Sequence, residues 1–276
     1  DIIRPPTKPT PFTGGRMSRS AMTRRCGNKI EKTAVVCGDV QMGRGNYVGH
    51  FAVLIGPLKI GDNNRFFSHV VIGTPAQHSQ VSQDSLDRYN SEKEIVIGDR
   101  NIIREFTSIH KPMQGTTRVH DDCFFLAHTH LSHDVEVFDR VTMANNCQLG
   151  GNVCVMEGAT LGQGVTVHQR STIGAHAMVG MGAVVVKDIL PFSKVVGNPA
   201  RFVGVNEVGM QRARFSQADM LAARMGCRCW PRLSTTGGAD LEGWYWQRHP
   251  RIHKAFMEFA ERRDASRKVA VSAGVA

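Results

Sequence analysis

The sequence predicts an all-β protein, a parallel β-helix of hexapeptide repeats with a small C-terminal helical region. Three observations predict it. Apolar residues recur at every sixth position, glycine often follows them, and a small or β-branched residue commonly stands four positions later. Stepping by six from Ile30 gives Val36, Met42, Val48, Leu54, Ile60, Phe66 and Ile72. After a break come Ile97, Ile103 and Ile109, and from Val119 the register runs unbroken through Phe125, Leu131, Val137, Met143, Leu149, Val155, Leu161, Val167, Ile173, Val179 and Val185. None of these 23 positions is polar, in a chain that is 41% apolar. A period of six fits neither an amphipathic helix nor an alternating strand, but it gives each hexapeptide one short strand and its corner. Three hexapeptides close a triangular coil, so residue i meets i+18 about 4.8 Å away.

The elements follow in chain order. Residues 1–29 form a basic, proline-rich stretch without an apolar core segment, which reads as a disordered tail rather than a secretory signal. Residues 30–190 form the solenoid. Two polar breaks, 74–94 and 111–118, leave it as loops, and such excursions commonly carry binding residues. From 191 to 276 the repeat gives way to an extension and helices. Ser216 with Asp219 makes a capping box, and Pro250 opens a helix with Ile252, Ala255, Phe256 and Phe259 on one face. Leu241, Trp244, Tyr245 and Trp246 between them read as core or interface, and the helices are expected to cover the open end of the solenoid.

The net charge is +10, from 34 Lys and Arg against 24 Asp and Glu. No aromatic residues interleave with the basic ones and no nucleic-acid module is visible, so no nucleic-acid partner is expected. No apolar run approaches the roughly 20 residues of a transmembrane helix. Seven cysteines and no signal segment favour reduced thiols in the cytoplasm. Cys227 and Cys229, separated by one residue, have a poor spacing for redox or metal work.

Histidines crowd the centre of the chain: His110, His120, His128, His130, His133, His168 and His176. The units beginning at 131 and 167 are two coils apart on one face, which places His133 and His168 on one wall, roughly 10 Å apart. His133 precedes Asp134, and an imidazole beside a carboxylate suits a general base acting on an alcohol or amine. No nucleophile elbow or Cys-His pair competes, so no covalent enzyme intermediate is expected.

These residues carry a resemblance. IGDRNIIREFTSIH at 97–110, HLSHD at 130–134, MANNCQLGG at 143–151, VHQRSTIGAHAMVG at 167–180 and GVNEVGMQRARFS at 204–216 resemble the UDP-N-acetylglucosamine 3-O-acyltransferase family of left-handed β-helix acyltransferases. The resemblance spans roughly 30–220. It implies that the helix is left-handed, that His133 is the general base assisted by Asp134, and that Gly151 offers its N–H to the thioester oxyanion. It further implies that His168 and Gln169 position acceptor and donor, and that His110 and His130 line the cleft. It implies as well that no cofactor is bound, that the donor is an acyl thioester on acyl carrier protein or coenzyme A, that the acceptor is sugar-like, and that the assembly is a homotrimer with clefts between subunits. A basic C-terminal region suits docking of an acidic carrier protein.

The sequence departs from the family pattern where the acceptor is gripped. Asn152 replaces a histidine, and His78 and Gln80 stand for an aspartate and a lysine. Asn206 and Arg212 match, whereas Val208 and Ala213 replace a glutamate and an arginine. Acyl transfer is therefore expected to persist while the acceptor changes. Two alternatives stay open: a γ-carbonic-anhydrase-like zinc hydratase, suggested by His128 and His133 five residues apart, and a non-catalytic platform.

Overall fold

The computed structural model describes residues 27–79, 81, 93–233 and 248–272. The expected tail, up to residue 26, and the aromatic stretch from Leu241 to Trp246 lie outside the described residues, as does Gln80.

The chain winds as a left-handed parallel β-solenoid whose short strands, β1–β25 in chain order, stack into three sheets of ten, eight and seven strands. Each coil visits the ten-, eight- and seven-stranded sheets in turn, and strands pair in parallel at the 18-residue interval. His130↔Gln148 and Gln148↔Thr166 are one such ladder. Twenty of the 23 hexad positions are buried, and they form one continuous core. The remaining three, Ile30, Val36 and Met42, belong to the first coil and are only partly buried against that core.

The glycine that often follows the aliphatic residue does not, as a rule, supply the turn geometry. The left-handed conformation falls three residues after the aliphatic one and is held mostly by other residues, among them Asp134 (φ +59°), Asn152 (φ +59°) and Arg170 (φ +62°) on successive coils. The preceding glycines serve close approach instead. A Cβ on Gly150 would meet Gln169 N at 2.7 Å.

Both excursions leave at the corner between the eight- and seven-stranded sheets. The first runs from β8 (Val71–Thr74) to β9 (Ile95–Ile97) and the second from β11 (Ser108–His110) to β12 (Thr117–Val119). The second ends two residues earlier than the sequence suggests, because Thr117 and Arg118 pair with Ile95 and Val96 in the sheet.

The C-terminal helices α1 (Glu207–Arg212), α2 (Gln217–Leu233) and α3 (Pro250–Ser272) follow. The capping box forms: Ser216 N–H donates to Asp219 Oδ2 (3.0 Å) and Asp219 N–H to Ser216 Oγ (3.1 Å). Ile252, Ala255, Phe256 and Phe259 are buried in a second core with Cys154, Met156 and Phe192. The helices thus cover the flank of the seven-stranded sheet, where Arg262 reaches Glu136 at 2.7 Å. At the open end, β24 (Ser193–Val196) extends the ten-stranded sheet, and β25 (Arg201–Val205) pairs antiparallel with it. This differs from the expected helical cover over the end: the helices' apolar faces match the exposed flank, and the antiparallel strand occupies the sheet edge.

Candidate active site

The left-handed residue at each corner turns the chain from the eight- to the seven-stranded sheet, so the residues beside it stack coil upon coil. His133, Gly151, Gln169 and Lys187 each stand two residues after a core residue of one sheet, namely Leu131, Leu149, Val167 and Val185. These four pair in register. They therefore form a column at intervals of about 4.8 Å.

Asp134 is the fixed point of the cluster. Its side chain is 5% exposed, and its Oδ2 lies 2.8 Å from His133 Nδ1. Oδ2 also accepts from Met113 N (2.9 Å), and Oδ1 from Gln114 N (3.0 Å) and Gly115 N (2.6 Å). Its own N–H donates to Thr117 Oγ1 at 3.0 Å. Burial pushes the Asp134 carboxyl up, but the His133 hydrogen bond and the three backbone donors outweigh it and hold the group below the ordinary carboxylate range. An ionised acceptor at Nδ1 makes that nitrogen the donor, which leaves the lone pair on Nε2. The short loop 111–116 thus orients the imidazole through Asp134.

The Cε1–Nε2 edge of His133 lies over Gly151, one coil on. A Cβ there would stand 2.5 Å from Cε1 and 2.6 Å from Nε2. No protein group among the described residues accepts the Gly151 N–H. On the neighbouring corner the equivalent N–H groups of Asp62, Asp99 and Asp121 are each taken by an aspartate of the next coil, at 2.7, 2.8 and 3.0 Å. At Gly151 the next coil presents Gln169 instead. A backbone donor without an acceptor among the described residues thereby belongs to the same residue that the imidazole edge overlies.

The other histidines sort by their partners. His130 is held at both nitrogens by hydroxyls, Nδ1 by Ser108 Oγ (2.8 Å) and Nε2 by Ser132 Oγ (3.1 Å), which makes it a wall rather than a base. His110 is buried, meets His130 edge-on at 4.6 Å, and is pushed down to about 4 by burial and by His130 and His133. It is neutral at pH 7. His78, from the first excursion, meets His133 edge-on at 5.9 Å. His168 and Gln169 are exposed two coils further on, and Asn152 donates its N–H to His133 O at 3.0 Å.

Asn206 and Arg212 stand elsewhere. Asn206 caps α1, accepting from Gly209 N at 3.1 Å and donating to His176 O at 2.9 Å. With Arg212, His176 and Arg140 it lines a cleft of about 370 Å³ at the corner between the seven- and ten-stranded sheets. One chain does not bring this cleft to His133. Nor does it bring His128 there, whose ring stacks on Phe106 at 4.8 Å on the third corner. Among the described residues no group of three His, Cys, Asp or Glu is placed to hold a metal ion. Thr117, Ser108, Ser132 and the 113–115 backbone were missed by the sequence reading. The signal was the second break, which the coil interval places directly before Asp134.

A family model described as UDP N-acetylglucosamine O-acyltransferase, domain 2, matches residues 188–236, the segment that holds Asn206 and Arg212. Among solved structures, the UDP-N-acetylglucosamine acyltransferase of Francisella novicida is 23% identical with a TM-score of 0.65, over 84% of this chain and 86% of that one. LpxA from Acinetobacter baumannii gives 23% and 0.65 over 85% and 95%, and UDP-N-acetylglucosamine O-acyltransferase from Moraxella catarrhalis gives 25% and 0.62 over 85% and 95%. The fold is LpxA-like. Within this LpxA-like fold, the His133 column and the Asn206 cleft occupy separate corners of one coil stack.

Proposed function

We propose that the protein is an acyltransferase that moves an acyl group from a thioester to a hydroxyl or amine of a sugar-like acceptor. One observation carries the proposal: a carboxylate-held imidazole whose Cε1–Nε2 edge lies over Gly151, a residue whose backbone N–H finds no acceptor among the described residues. His133 Nε2 takes the acceptor proton while the acceptor oxygen or nitrogen attacks the thioester carbonyl. The carbonyl oxygen gains the negative charge and accepts from the Gly151 N–H. Collapse breaks the C–S bond, and the imidazolium returns its proton to the leaving thiolate. Asp134 stabilises the imidazolium in between. The donor is carried on acyl carrier protein or coenzyme A, and the reaction takes place in the cytoplasm.

The separation of the Asn206–Arg212 cleft from His133 supports a homotrimer in which one copy's cleft faces another copy's column. His78, Asn152, Val208 and Ala213 stand where the resembling family grips its nucleotide-sugar. Loss of two charge-assisted contacts at roughly 1.5–3 kcal/mol each costs at least a hundredfold in affinity. The acceptor is therefore a different sugar or amino sugar.

The test is thiol release from acyl-carrier-protein and coenzyme A thioesters with UDP-N-acetylglucosamine, its 3-amino analogue and other amino sugars, the product being identified by mass. Transfer to an acceptor other than UDP-N-acetylglucosamine is expected. Efficient acylation of UDP-N-acetylglucosamine, with no better acceptor, would reject the acceptor assignment, and no transfer from any donor would leave the platform reading.

A further inference from the structure

At the far end of the His133 column, the last coils and the helices line a second cleft, of about 610 Å³, with three cationic side chains on its walls: Arg170, Lys187 and Arg263. Arg170 follows Gln169 at the left-handed corner position, and its Nε is buried without a hydrogen-bond partner among the described residues. Arg263 arrives from α3. Its side chain is 15% exposed, its guanidinium lies 5.6 Å from the centre of the Trp230 ring, and its Nε is likewise buried without a hydrogen-bond partner among the described residues. The Asp264 carboxylate is 3.6 Å from that Nε, beyond hydrogen-bond distance, and is itself 59% exposed. The cleft's one acid, Asp188, has an oxygen committed to Thr172 N–H at 2.8 Å.

Arg262, the preceding residue, shows what a structural arginine does on this helix: it reaches Glu136 at 2.7 Å and lies over Phe138. Among the described residues Arg170 finds no such acid, and Arg263 has only the exposed Asp264 carboxylate, 3.6 Å from its Nε. Buried guanidinium donors without acceptors cost free energy, and like charges converging on one cleft add to that cost unless an anion neutralises them.

We propose that this cleft binds a phosphoryl group, held by the Arg170 and Arg263 guanidinium groups with Lys187 at the rim. A phosphate offers several acceptor oxygens and up to two charges, which match two forked donors and an ammonium better than a single carboxylate does. Trp230 lines the same cleft and, though only 8% exposed, offers an apolar edge to the carbon skeleton that bears the phosphate. Two sources share this chemistry: a phosphate on the carrier arm of the thioester donor, and a free phosphorylated metabolite. The column from His133 through Gly151 and Gln169 to Lys187 places the cleft two to three coils, roughly 10–14 Å, from the reacting nitrogen. An extended arm along that corner would join the two places. The phosphoryl site stands on the cleft alone; the donor source rests on the acyl-transfer reading.

The test is calorimetric titration of the full chain, which needs no turnover, with inorganic pyrophosphate, 4′-phosphopantetheine and phosphate-free pantetheine. The proteins are wild type, Arg170→Gln, Arg263→Gln and Lys187→Gln. Wild type is expected to bind phosphopantetheine at least tenfold more tightly than pantetheine, and each substitution should erase most of that difference. Tight pyrophosphate binding that is lost in the same variants, without preference for phosphopantetheine, would keep the site and assign it to a free metabolite. Binding of neither phosphate probe to wild type, or binding that Lys187→Gln and the two arginine variants leave unchanged, would overturn the proposal. Lys187 is exposed, so its variant keeps the test valid should an arginine variant fail to fold.

Discussion

A methyl group at position 151 would stand 2.5 Å from His133 Cε1, so either the ring or the coil must shift to admit it. Gly151→Ala is therefore expected to lower kcat by 10²-fold or more, the scale of a lost oxyanion donor or base, with little loss of melting temperature. Steady-state thiol release beside a thermal melt measures both. His110 supplies a second test, in stability. Its folded value of about 4 lies below the ordinary histidine value of 6.5, so between these pH values the unfolded chain binds the extra proton. Stability should fall as pH drops from about 6.5 to 4, by roughly 3 kcal/mol from this group. Urea unfolding across that window should show a shallower slope in His110→Gln. His133 and Asp134 were legible in the sequence because they are adjacent and fall at a corner. That Asp134 is held by Met113, Gln114 and Gly115 was not, because those contacts run from a loop lacking the hexad.

Among the elements, the 23-position hexad made the sheets and their register legible before any contact was known. The corner conformation was harder to read. Asp, Asn, His, Arg and Phe share the left-handed position, so no single residue type marks it. The Ser216–Asp219 box was readable because capping is local, whereas the resting place of the helices depended on a distant flank through Arg262 and Glu136. Ser216→Ala removes the hydroxyl that accepts Asp219 N–H and should cost about 1 kcal/mol of stability by denaturant unfolding. Thioester turnover should be unchanged, since the box touches neither His133 nor the column beyond it.

At the scale of the whole molecule, His133 and the Asn206–Arg212 cleft lie on different corners of the triangular coil. If copies of the chain complete each other's sites, His133→Ala and Arg212→Ala proteins, each nearly inactive, should regain activity when coexpressed as mixed oligomers. A mixed assembly that stays as inactive as its parents would place the whole site within one chain. The proposed role of His133 is tested most directly by acceptor-dependent thiol release by wild type and His133→Ala, each checked for an intact fold by circular dichroism. A 10²- to 10⁴-fold loss of kcat is expected in the variant, the scale of a lost general base, with the fold kept because Leu131 and not His133 fills the core. Turnover within a few-fold of wild type in a folded His133→Ala protein would contradict that role.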